Sequence, residues 1–139
     1  MQEGYRILEH PADIGLEAHG KSLQEVFEYA GRGLMSIIVD PAGIDPIEQR
    51  FLTLAASDRE NLLVQWLSEI LYLYDGQDFL IADVAIEHIS PTAIEAIVTG
   101  DIVDTRKHQF RMDVKAVTYH QLMVEEREDG CTARVFFDI

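Results

Sequence analysis

Three stretches of the 139-residue chain hold the side chains whose types could do chemistry: "EHPADIG" near the start, "VKAVTYH" at 114–120 and the closing "ARVFFDI". In the last of these, strand alternation puts Ala133, Val135, Phe137 and Ile139 on one face and Thr132, Arg134, Phe136 and Asp138 on the other. Ile139 is therefore expected to be buried while Asp138 points the other way, and apolar residues on both faces predict a central strand. Asp138 and the α-carboxylate of Ile139 form a dense set of oxygen donors. Asp13 adds a third carboxylate if its segment lies beside the last strand, and hard cations such as calcium or magnesium favour that ligand chemistry.

Blander accounts exist for each member. Pro11 forces His10 towards an extended conformation and ends regular pairing, which leaves Asp13 in a turn between two strands, where an Asx hydrogen bond alone explains an aspartate. A solvated chain end explains Asp138 equally simply. In "VKAVTYH", alternation separates Lys115, Val117 and Tyr119 from Ala116, Thr118 and His120, so Lys115 and His120 do not share a face. A strand lysine is ordinarily solvated or paired, and no Ser or Cys nucleophile motif accompanies His120.

Other chemistries lack their residues. His19, His88 and His108 have no metal-ligand spacing, Cys131 is a lone thiol, and Trp66 falls in a helical apolar stripe, so all five read as structural. There is no HExxH pair, thiolate cluster or EF-hand loop, and "GRG" at 31–33 has neither a preceding strand nor a P-loop lysine. Any cation site must be assembled from distant segments.

The chain carries 25 acidic and 11 basic residues, a net charge of −14, with 47% hydrophobic and 26% charged residues. That composition predicts one domain over residues 1–139. Its field repels polyphosphate, so direct tight nucleic-acid binding is not expected, whereas a basic protein partner or a hard cation suits it. With one cysteine and neither a secretory leader nor an apolar run of roughly 18 residues, a reducing, cytoplasmic setting without membrane attachment is expected.

Two helices must position these residues. Residues 21–40 combine Ser22 and Glu25 in a capping-box pattern with apolar residues at helical spacing, closed by Pro41, and residues 57–76 repeat the pattern with Ser57 and Glu60, stopping at Gly76. Strand-like stretches lie at 5–9, 16–19, 51–55, 83–89, 93–100, 114–125 and 132–139, with "VEEREDG" as a hairpin tip. Runs of strands around two isolated helices predict an α+β two-layer sandwich, a mostly antiparallel or mixed sheet with both helices on one side.

Taken in order, "EHPADIG", "GKSLQEVFEYAGRGL", "LLVQWLSEILYL", "VKAVTYH" and the final "FFDI" resemble the archease family over essentially the whole chain. The resemblance implies an accessory protein of the RtcB-type RNA ligase in tRNA splicing and RNA repair, supporting ligase guanylylation and multiple turnover without being an enzyme itself. It implies a bound calcium-like cation at Asp13, Asp138 and Ile139, a functional role for Lys115, and weaker roles for His10 and Asp40. Pro11 departs from the threonine associated with that position. From the residues alone, two rivals stay open. One is a metal-dependent phosphoester hydrolase in which Asp13 and Asp138 hold the cation and His10 or His120 handles a proton. The other is a module whose cation only ties distant segments together.

Overall fold

The structure, a computed structural model, describes residues 3–9 and 13–139. Two helices and eight strands follow the order β1 (Gly4–Glu9), β2 (Asp13–Gly20), α1 (Leu23–Ile38), β3 (Glu48–Ala55), α2 (Arg59–Gln77), β4 (Phe79–Ser90), β5 (Ala93–Ile102), β6 (Ala116–Val117), β7 (Met123–Arg127) and β8 (Gly130–Asp138).

The first helix begins where its cap predicts: Ser22 accepts a hydrogen bond from the Glu25 N–H at 3.2 Å, and the Glu25 carboxylate accepts one from the Lys21 N–H at 3.2 Å. Its stripe of Val26, Phe27, Ala30, Leu34 and Ile38 is buried. The second helix differs from expectation at both ends. Asp58, not Ser57, is the cap, accepting from the Asn61 N–H at 2.8 Å, because its carboxylate reaches the N–H of the third helical residue. The helix also runs through Gly76 and stops at Asp78, which takes the left-handed conformation at φ 54° that aspartate tolerates. Trp66 has no exposed surface and donates its indole N–H to the Phe27 carbonyl at 2.9 Å, locking the helices together. Burying one such large apolar side chain contributes roughly 1.5–3 kcal/mol.

The fold is α+β, with every strand pairing antiparallel, and the strands divide into two sheets. One runs β1-β2-β8-β6 with β7 also paired to β8, and the other runs β3-β5-β4. Helix α1 packs on β1, β2 and β8 of the first sheet and on β4 of the second, while α2 reaches β3 and β4 of one sheet and β6 and β7 of the other. The single core cluster draws on both helices and both sheets. As expected, β8 is central, flanked by β2 on one side and by β6 and β7 on the other.

The long strand expected over 114–125 breaks into the two-residue β6 and the separate β7. Gln121, at φ 51°, turns the chain between them, so the alternation there reflects two short pairings and not one ladder. The segment between β5 and β6 is irregular but held. Asp40 N–H donates to Gln109 O at 2.9 Å, Arg111 N–H donates to Ile38 O at 2.8 Å, and Val39 bridges Phe110. Below that segment, Asp101 accepts from Lys107 and from the buried His108, whose other ring nitrogen accepts the Asp104 N–H at 3.0 Å. His108 therefore carries its proton on Nε2 and is a satisfied core histidine.

Candidate functional site

The pairing of β2 with β8 brings the distant carboxylates together. Asp13 lies directly opposite Asp138, Ile14 opposite Phe137, and Gly15 opposite Phe136. Ile14 and Phe137 belong to the core, so Asp13, Gly15, Phe136 and Asp138 share the outer face of the sheet. Directly opposed residues have Cβ atoms roughly 4.5–5.5 Å apart, a spacing at which like charges repel.

Two sequence-based expectations about this end need correction. Asp13 is the first residue of β2 and does not sit in a turn, because pairing with β8 continues to that position. Ile139 is 37% exposed, not buried. Its strand ends at Asp138, and among the described residues Asp13 and Ala116 are the last partners that the facing strands supply.

Beneath the carboxylates lies a packing feature that alternation did not reveal. Phe136 is only 2% exposed although it is on the outer face and outside the main core. Gly15 makes this possible: a Cβ there would stand 2.6 Å from the Phe136 ring. The His120 ring meets Phe136 edge-on with centroids 5.6 Å apart, which makes His120 a wall of this outer cluster. Its only sequence signal is a glycine opposite an aromatic, which needs the register to be seen.

Lys115 joins the site through its backbone, donating its N–H to the Asp138 carbonyl at 2.8 Å, and its side chain is exposed. Asp40 does not join. It caps the short turn Pro41–Gly43, accepting from the Ala42 N–H at 3.0 Å, and faces Arg111 at 3.7 Å. His10 lies outside the described residues. Among the described residues, no three His, Cys, Asp or Glu side chains form a grouping able to hold a metal.

Of the residues that read as structural, His19 and Cys131 are engaged within the fold, whereas His88 is exposed on β4. His19 lies 3.0 Å from both Glu17 Oε1 and Thr132 Oγ1, and Cys131 is buried, which pushes its thiol up from the usual value. No helix among the described residues is long and apolar enough to cross a membrane.

Fold and site together define a class: a small α+β protein with two antiparallel sheets on two helices, presenting a paired-carboxylate sheet end beside a lysine-bearing segment. The sequence model of the Archease protein family (MTH1598/TM1083) matches residues 5–139, and the chain belongs to that family. It is 37% identical over 139 residues to the protein archease of Methanosarcina acetivorans, covering 97% of this chain and 95% of that one. Against the protein archease of Saccharolobus islandicus the identity is 39% over 137 residues, covering 97% and 98%. Among solved structures, protein 1598 of Methanobacterium thermoautotrophicum superposes with a TM-score of 0.81 at 28% identity, covering 99% of this chain and 100% of that one. An archease of Thermotoga maritima described as a possible chaperone superposes at 0.65 with 23% identity, covering 100% and 98%, which bears on the fold alone.

Proposed function

We propose that the protein is a non-enzymatic accessory factor of an RtcB-type RNA ligase, acting in the cytoplasm in tRNA splicing and RNA repair to promote guanylylation of the ligase and its multiple turnover. The observation that carries this reading is the opposition of Asp13 and Asp138 on one face, with the Lys115 backbone bonded to Asp138. Asp13, Asp138 and the Ile139 carboxylate would hold a calcium or another hard divalent cation, which when bound supplies positive charge at an otherwise acidic edge. The chain's own residues then do the positioning. Phe136, seated over Gly15, fixes β8 against β2 and so fixes the spacing of the two aspartates. The Asp138 carbonyl holds the Lys115 backbone, which directs an exposed ammonium from the same edge towards a partner's acidic or phosphate groups. Net charge of −14 favours encounter with a basic ligase surface and discourages the chain from competing for RNA.

The decisive experiment is ligation by the cognate ligase under single-turnover and multiple-turnover conditions, with wild-type chain and Asp138→Ala in parallel. Wild type is expected to raise multiple turnover and guanylylation, and Asp138→Ala to lose that stimulation while staying folded. An unchanged ligase in the presence of wild type, with no complex recovered, would sink the proposal.

A further inference from the structure

The end of α2 presents a second feature that the carboxylate edge does not use. Tyr74 and Phe110 stack with ring centroids 6.0 Å apart and planes at 28°, and grooves of about 300 and about 420 Å³ open on either side of the pair. Phe110 is 40% exposed, an unusual place for a phenyl ring, yet its backbone is pinned to the end of α1 by the Val39 bridge. The ring is therefore presented on a fixed support.

Around this aromatic floor the walls are acidic. Asp75 and Asp78 border one groove and Asp113 the other, all three exposed. The helix contributes in the same sense, since the C-terminal end of an α-helix carries partial negative charge and favours a cation, and the last turn of α2 contains no basic residue. Arg111, which lines the second groove, is committed elsewhere: its guanidinium donates to Ser36 O at 3.0 Å and faces Asp40 at 3.7 Å. The nearby basic residues Arg106 and Lys107 are likewise paired, with Asp104 and with Asp45 and Asp101. Burial and the neighbouring Asp113 push the Asp75 carboxyl up, and burial followed by the three aspartates pushes the Tyr74 hydroxyl up. A stacked aromatic pair with three aspartates around it, and with the one lining cation, Arg111, held against Ser36 O and Asp40, complements a guanidinium or ammonium group on a flexible stem.

We propose that the groove floored by Tyr74 and Phe110 docks an extended segment of a partner protein through an arginine or lysine side chain. The segment crosses the ring pair from one groove to the other, with Asp75 and Asp78 meeting its charge on one side and Asp113 on the other. Because Asp113 stands two residues before Lys115, whose backbone is bonded to Asp138, a segment leaving the groove past Asp113 continues towards the carboxylate edge. The partner's identity rests on the accessory-factor reading; the chemistry of the groove does not.

A fluorescein-labelled peptide of alternating arginine and glycine, and the same peptide with glutamate replacing arginine, separate the two questions. Wild-type protein is expected to bind the arginine peptide and ignore the other. Phe110→Ala, and Asp75→Asn with Asp113→Asn, should each weaken binding about fivefold or more. The charge-matched control Glu87→Gln with Glu95→Gln, on exposed positions of β4 and β5, should leave it unchanged. Equal loss in the control, or no loss in the groove variants, would overturn the proposal, as would displacement of the peptide by spermidine at equal cation concentration. Recovery of the ligase on immobilised protein forms a separate arm. Retention by wild type and loss by Phe110→Ala supports the proposal, and equal retention by both overturns it. Failure of wild type to retain any ligase tells against the accessory-factor reading, while the peptide result still decides the groove.

Discussion

Two groups of aspartates in this molecule look alike in composition and differ in how their charge is met. Asp101 is nearly buried and is answered from within, by the Lys107 ammonium and by the His108 ring, which fixes the irregular segment after β5 to the sheet. At the other site, Asp13 and Asp138 face each other across two strands at the edge of the fold, with Asp138 exposed. A chain this acidic has few cations to spend, and eight of its eleven basic residues stand in ion pairs with carboxylates among the described residues. Lys115 forms no such pair among those residues. Internal pairing therefore marks Asp101 as part of the framework of the fold, whereas the register of β2 against β8 brings Asp13 and Asp138 face to face at the end of the sheet.

The sharpest break of this comparison is Asp101→Ala. It leaves the buried His108 Nε2–H without its acceptor and the exposed Lys107 ammonium with Asp45 alone, and losing both contacts should cost about 3 kcal/mol, read as a lower midpoint in urea unfolding. The same site makes a pH prediction. The Lys107 ammonium holds the Asp101 carboxyl below the ordinary carboxylate value, so its contribution is present above the unfolded value of about 3.9 and is lost as pH falls through the folded one. The stability gap between wild type and Asp101→Asn should accordingly narrow below about pH 4.

At the sheet end the expected response is to added ion. Calcium at about one hundred times its dissociation constant should raise wild-type stability by about 2.7 kcal/mol, and Asp138→Ala should abolish that rise, measured by thermal unfolding with and without chelator. A smaller effect, about 1–2 kcal/mol, is expected from Gly15→Ala, because the new methyl collides with Phe136 and the ring must shift. If Phe136 sets the spacing of the aspartates, the same variant should weaken calcium binding although it touches neither carboxylate. Smallest of all, Asp138→Ala without cation should change stability by less than about 0.5 kcal/mol, since it removes an exposed charge facing another of its own sign. A loss as large as that of Asp101→Ala would erase the distinction between the two sites.

What could be read in advance follows from how local the determining interactions are. The start of α1 was legible because Ser22 and Glu25 meet the first turn within a few residues. The start of α2 was not, because the adjacent Ser57 and Asp58 are both favoured cap residues and only geometry selects the carboxylate. Alternation correctly put Asp138 on the face opposite the core. It erred on Ile139, whose exposure depends on where the neighbouring strands stop. The division into two sheets and the seat of Phe136 on Gly15 depend on pairing across the length of the chain; His19 and Thr132, neighbours through a hydrogen bond, are 113 positions apart. The groove at Tyr74 and Phe110 was invisible for the same reason, since a stacked pair joining a helix end to an irregular loop has no spacing to recognise.

The central place of β8 also orders the birth of the fold. Helix α2 and the sheet ordered β3-β5-β4 draw on one continuous stretch of chain and can form early during synthesis, whereas β2 must wait for β8, made more than a hundred residues later. Until then the first hairpin has an unpaired edge, and Leu16, Ala18 and Ile14 face the core without their partners Val135, Ala133 and Phe137. A nascent chain stalled before residue 130 would hold half a sheet with an adhesive edge, so the strand that assembles the carboxylate pair also ends the interval in which the protein is most prone to aggregate.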